Sequence, residues 1–188
     1  MSNPSRDALA ARPARLHHHA FVVRDQEATR RFYEEIVGVP LVATWCEEED
    51  FGAGPTSYCH TFYELGDGSC LAFFEFADPK HARKFLLASP ASHFDHVALL
   101  ATAELQESVR ERAAAAGVGT VSLDHGYCSS LYLQDPDGLT IELTVDHPAA
   151  VADAASHREH AHAELRRWRA GDHRSNNAYR REATSSSS

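Results

Sequence analysis

The alternation of apolar and polar positions divides the chain into a series of elements that runs twice. "LHHHAFVV" (16–23) reads as a strand. "RDQEATRRFYEEIVG" follows as a helix, with Asp25 as its cap, an apolar stripe of Ala28, Phe32, Tyr33 and Ile36, and Gly38 as its stop. "VPLVATW" is a second strand, the charged stretch 47–56 a loop, and "SYCHTFYEL" a third strand. "GDGS" is a hairpin turn, and "CLAFFEF" a fourth strand. A connector with a helical turn or two spans "DPKHARKFLLASPAS", and then the order restarts. "HFDHVALLA" is a strand, and "TAELQESVRERAAAAG" a helix between Thr102 as N-cap and Gly117 as stop. "VGTVSLDHG", "SSLYLQ" and "LTIELTV" are strands, the last two joined by a "DPDG" turn.

The expected organisation is therefore an α+β fold built on an internal repeat of strand, helix and three strands. The boundaries are a loose arm over 1–15, a first βαβββ module over 16–80 and a connector over 81–93. A second βαβββ module covers 94–147, a C-terminal helical extension 148–182, and a disordered polar tail 183–188.

The chain has 188 residues and a formal net charge of -9. That acidity argues against nucleic acid or an anionic membrane as the main partner. No stretch approaches the roughly 18 apolar residues of a membrane span, and no secretory apolar segment stands near the N-terminus. The four cysteines, Cys46, Cys59, Cys70 and Cys128, form no CxxC pair. The expectation is a reduced, cytoplasmic protein with free thiols.

Superposing the first strands of the repeat sets His18 on His96. Superposing the last strands of each copy sets Glu75 on Glu142. His18 and Glu75 lie 57 residues apart and His96 and Glu142 46, a difference close to the length of the 47–56 loop. In the last strand Thr140, Glu142 and Thr144 share one face, and Leu139, Ile141, Leu143 and Val145 the other. A Glu between threonines is by itself the mark of a solvated sheet face. The recurrence of His18, His96, Glu75 and Glu142 as a set points instead to a metal site. Two imidazoles with one carboxylate suit non-haem Fe(II); a second carboxylate suits Zn, Ni, Co or Mn.

"HHHAFVVRDQEATRRFYEEIVGVPLV", with the repeat that closes in "DPDGLTIEL", resembles the vicinal oxygen chelate superfamily over roughly 16–147. That group holds glyoxalases, extradiol dioxygenases and bleomycin and fosfomycin resistance proteins. The resemblance implies paired βαβββ modules forming a cupped mixed sheet around a divalent metal that takes a small-molecule substrate. By analogy it also implies a homodimer, which the C-terminal extension with Trp168 could cover.

Within the superfamily, "DHGYCSSLYLQDPDGLTIE" resembles the extradiol dioxygenase signature. Carried over, His125 is an acid/base beside the metal, Tyr132 a hydrogen-bond donor to substrate, Glu142 an iron ligand, and His18 and His96 the two histidine ligands. The implied enzyme cleaves a catecholic ring with Fe(II). The alternative is a glyoxalase I-like lyase in which Glu75 also binds the metal and Zn, Ni, Co or Mn serves. A third is a drug-binding resistance protein without chemistry.

Overall fold

A computed structural model describes residues 15–50, 54–78, 80, 83 and 95–179. The N-terminal arm, most of the connector and the terminal serine tail lie outside the described residues. The chain divides into two compact units, Met1–Ser89 and Pro90–Ser188.

In the first unit β1 (His18–Val22) leads to α1 (Gln26–Arg30), which continues as a π-helix over Arg31–Val37. Asp25 caps α1 by accepting from the Glu27 and Ala28 amides at 2.8 and 3.0 Å. The π-turn closes where the Gly38 amide reaches back to the Tyr33 carbonyl at 2.9 Å; Gly38 then ends the element at φ 88°. The sequence predicts one regular helix here. The wider π-turn still buries Phe32, Tyr33, Ile36 and Val37.

β2 (Leu41–Asp50), β3 (Pro55–Glu64) and β4 (Cys70–Phe76) complete a mixed sheet of order β1-β4-β3-β2. The charged run 47–50, expected as loop, extends β2, because Glu47 to Asp50 pair with Tyr58 to Pro55 across the hairpin. One face of the sheet packs under α1 and its π-helical extension, with Tyr33, Tyr63, Leu71 and Phe73 fully buried.

The second unit repeats the plan. β5 (His96–Leu100), α2 (Ala103–Ala115), β6 (Thr120–Asp124), β7 (Cys128–Gln134) and β8 (Thr140–Asp146) give a sheet of order β5-β8-β7-β6. Thr102 caps α2 through the Leu105 amide at 3.2 Å. Val109, Ala113, Leu131, Ile141 and Leu143 form the core. Each helix also pins its sheet with a glutamine amide. Gln26 Nε2 donates to the Phe73 carbonyl at 2.9 Å, and Gln106 Nε2 to the Leu143 carbonyl at 2.7 Å. The C-terminal extension, expected as one helix, breaks at Asp153 into α3 (Pro148–Ala152) and α4 (Ala154–Arg169). Among the described residues no helix is long and apolar enough to cross a membrane.

Tyr63 is fully buried, and its hydroxyl has no hydrogen-bond partner among the described residues. Burial pushes its phenol up to about 12. The folded state holds Tyr63 neutral where the unfolded chain would ionise it at about 10, so stability falls as pH climbs from about 10 through 12. Tyr63→Phe is expected to make that alkaline loss shallower, by up to about 2 kcal/mol. At neutral pH it should be neutral or mildly stabilising, since it removes an unsatisfied buried hydroxyl. Urea unfolding across that pH range reads both effects.

Candidate metal and proton-transfer site

In the second unit the "DPDG" turn sets the register that assembles the site. Asp135 Oδ1 accepts from the Asp137 and Leu139 amides, both at 2.9 Å, and Gly138 takes φ 89° to close the turn. Gln134 then pairs with Thr140, and Tyr132 with Glu142. Glu142 is not solvated. It is 5% exposed, on the sheet face turned away from α2. Its Oε2 stands 2.8 Å from His96 Nε2, and its Oε1 accepts a short hydrogen bond from the Ser130 hydroxyl. A buried carboxylate is stable only with such partners.

The two facing atoms are metal-ligand types. Neighbouring ligands with bonds of about 2.1 Å at right angles stand roughly 3 Å apart, close to the His96–Glu142 spacing. The pair fits two members of a donor set. Among the described residues no group of three or more His, Cys, Asp or Glu is gathered for an ion.

His125 and Tyr132 meet beside that pair. His125 Nε2 and the Tyr132 hydroxyl are 2.9 Å apart. Burial, with the Glu142 carboxylate adding to it, holds the Tyr132 phenol above its ordinary value. Gly126, at φ 83°, and the His125 amide bond to the Cys128 carbonyl at 2.9 Å form the bend that aims the imidazole. The C-terminal extension supports the bend, with Asn177 Nδ2 donating to the His125 carbonyl at 2.9 Å. His96, His125, Tyr132 and Glu142 line one cavity of about 740 Å³, whose wall includes Val121, Leu123, Tyr127 and Leu133.

In the first unit the register corrects the sequence alignment of the two copies. His18 pairs with Cys70 as His96 pairs with Thr140, so Ala72, not Glu75, holds the place of Glu142. Glu75 lies three positions further along, an odd shift that turns it to the opposite face. There its Oε2 accepts from the Gln26 amide of α1 at 2.7 Å. The two carboxylates looked equivalent because the apolar strings around them are alike, and letters do not reveal pairing.

His18 is exposed at the start of β1, with its Nδ1 2.8 Å from that of His17. It shares its face with His60, at 6.2 Å between ring centroids, and Phe62, at 5.4 Å. Sequence reasoning missed His60. Its Nε2 is buried without a hydrogen-bond partner among the described residues, and burial first, then His18, lowers its pKa. The alternation of "CHTFY" was the available signal, since it sets His60 and Phe62 on one face. His17, His157, His160 and His162 are exposed.

The model of the Glyoxalase/Bleomycin resistance protein/Dioxygenase superfamily matches residues 15–143. The chain belongs to that superfamily. A search of curated proteins finds no significant match. Among solved structures, a superfamily domain from Frankia sp. EAN1pec is 19% identical, covering 72% of this chain and 100% of that one at a TM-score of 0.54. A glyoxalase family protein from Bacillus cereus is 18% identical, covering 73% and 97% at 0.56. The fosfomycin resistance protein FosX from Listeria monocytogenes, in complex with Mn(II) and sulfate, is 18% identical, covering 75% and 99% at 0.53. At these identities the likeness to each structure is one of fold.

Proposed function

We propose that this superfamily member is a metal-dependent ring-cleaving dioxygenase of the extradiol kind, acting on a catechol or a related ring with two adjacent oxygens. The observation that carries the reading is the 2.9 Å hydrogen bond between His125 and Tyr132 in the cavity that also holds His96 and Glu142. Imidazole is the side chain best suited to move protons near neutral pH. His125 would take a proton from a substrate hydroxyl and return one later to the product. Tyr132 bridges His125 to the substrate oxygen and fixes the imidazole's direction. Ser130 holds the Glu142 carboxylate so that Oε2 faces His96. Val121, Leu123 and Tyr127 offer an apolar wall that suits an aromatic ring.

Ala72 at the place of Glu142 supports a count of one carboxylate, the donor set that suits Fe(II), over the two-carboxylate set of the lyase alternative. His96 and Glu142 would hold the ion, and His18 occupies the matching place in its own unit. Bound there, Fe(II) would supply the one-electron chemistry that oxygen requires. Mn(II) in the FosX structure supports a divalent ion on this scaffold, with Zn, Ni, Co and Mn as the ions to compare. Exposed Val151, Leu165 and Trp168 on α3 and α4 suit the homodimer common in the superfamily, which sedimentation tests.

The deciding experiment is anaerobic reconstitution with Fe(II), followed by oxygen consumption with a panel of catechols. Oxygen uptake with a yellow ring-fission product is expected. Turnover of a hemithioacetal with Ni or Zn, and no oxygen uptake with iron, would overturn the reading. Glu75→Gln should leave metal content and oxygen uptake unchanged, because that carboxylate faces α1. Loss of metal in Glu75→Gln would restore the two-carboxylate site.

A further inference from the structure

The α1-bearing face of the first unit carries a second group of reactive side chains. Cys46 of β2 and Cys59 of β3 are direct cross-strand partners, and Glu75 of β4 is the partner of Cys59 on its other side. Partners in an antiparallel pair project from the same face, with Cα atoms about 4.5–5.5 Å apart. A disulfide spans Cα separations of about 4.4–6.8 Å. The two sulfurs can therefore bond without a shift of register. All three side chains line a cavity of about 550 Å³. Its face is the one on which Glu75 meets the Gln26 amide, opposite the face of His18.

The two thiols differ. Cys46 is exposed and Cys59 half-buried. Burial, then Cys46 and Glu75, raise the Cys59 thiol, so it stays protonated while Cys46 meets solvent. The other cysteines have no such partner across a strand. Cys70 pairs with His18 and Glu64, and Cys128 with Asp146.

We propose that Cys46 and Cys59 form a peroxide-reactive dithiol that closes to a cross-strand disulfide. The Cys46 thiolate attacks one peroxide oxygen and the O–O bond breaks. The departing hydroxide takes up a proton and leaves as water, and Cys46 becomes a sulfenic acid. Cys59 sulfur then attacks the Cys46 sulfur and the S–O bond breaks. The second hydroxide leaves as water with the Cys59 thiol proton. Two electrons pass from the sulfurs to the peroxide, so two thiols and one hydrogen peroxide give one disulfide and two waters. A small dithiol reverses the reaction by exchange. The bond would tie β2 to β3 at the middle of their ladder.

The test treats the full-length protein with hydrogen peroxide, blocks the remaining thiols by alkylation, and maps its peptides by mass spectrometry. The expected result is a linked Cys46–Cys59 peptide that dithiothreitol removes, with Cys70 and Cys128 still alkylated. In Cys59→Ser, Cys46 should be trapped as the sulfenic acid by dimedone. In Cys46→Ser, Cys59 should stay unoxidised over the same exposure. Full alkylation of Cys46 and Cys59 after peroxide, or linkage to Cys70, Cys128 or a second chain, would overturn the proposal. The wild-type peptide map decides the matter even if a variant folds poorly.

Discussion

Glu142→Gln is expected to strip the protein of its metal and its turnover while leaving the metal-free fold as stable as before, or more so. The carboxylate is 5% exposed and carries its charge between Ser130 and His96. The amide has nearly the same shape and can still accept from Ser130, so the metal-free protein loses little packing. The metal-loaded protein loses an anionic ligand. Binding at a hundred times the dissociation constant stabilises a fold by about 2.7 kcal/mol. That ion-induced rise in melting temperature should be present in the wild type and absent in the variant. Ser130→Ala removes the hydroxyl that orients the carboxylate, and should weaken metal affinity by about 10–100-fold. Melting with and without Fe(II), together with metal content after gel filtration, reads all three proteins. A Glu142→Gln protein that keeps wild-type metal content and the wild-type melting shift would refute the ligand role.

The repeat was legible because its signals are local. Asp25 and Thr102 announce two helix starts, Gly38 ends the first helical segment, and the alternation of "LTIELTV" puts Ile141 and Leu143 in the core. The Glu142 side of the site was legible for the same reason, since a turn of fixed length joins Tyr132 to Glu142. What the letters hid was pairing. The place of Glu142 in the first unit is decided by which residue of β4 lies beside Ala20, and the register names Ala72. His60 stayed hidden too, because its meaning depends on His18 lying across β4 from it. The extension of β2 to Asp50 was hidden by its charges, which an edge strand tolerates on its open side. The π-turn of the first helix follows a hydrogen-bond choice that no periodicity records.

His125→Ala should lower kcat by about 10²–10⁴, the usual contribution of a positioned acid/base, with metal content and KM little changed. The side chain is aimed by its own backbone, through the Cys128 carbonyl, Gly126 and Asn177, so its removal leaves β7 and β8 in place. It meets the Tyr132 hydroxyl directly. Tyr132→Phe should therefore cause a smaller loss of the same kind, since the imidazole remains but its bridge to the substrate is gone. If the two act as one relay, the double variant falls no further than His125→Ala alone, a non-additivity that independent packing roles would not produce. Steady-state kinetics on the four proteins, each at matched iron content, measures the cycle. Unchanged kcat in His125→Ala would remove the proton-relay role and, with it, the observation on which the dioxygenase reading rests.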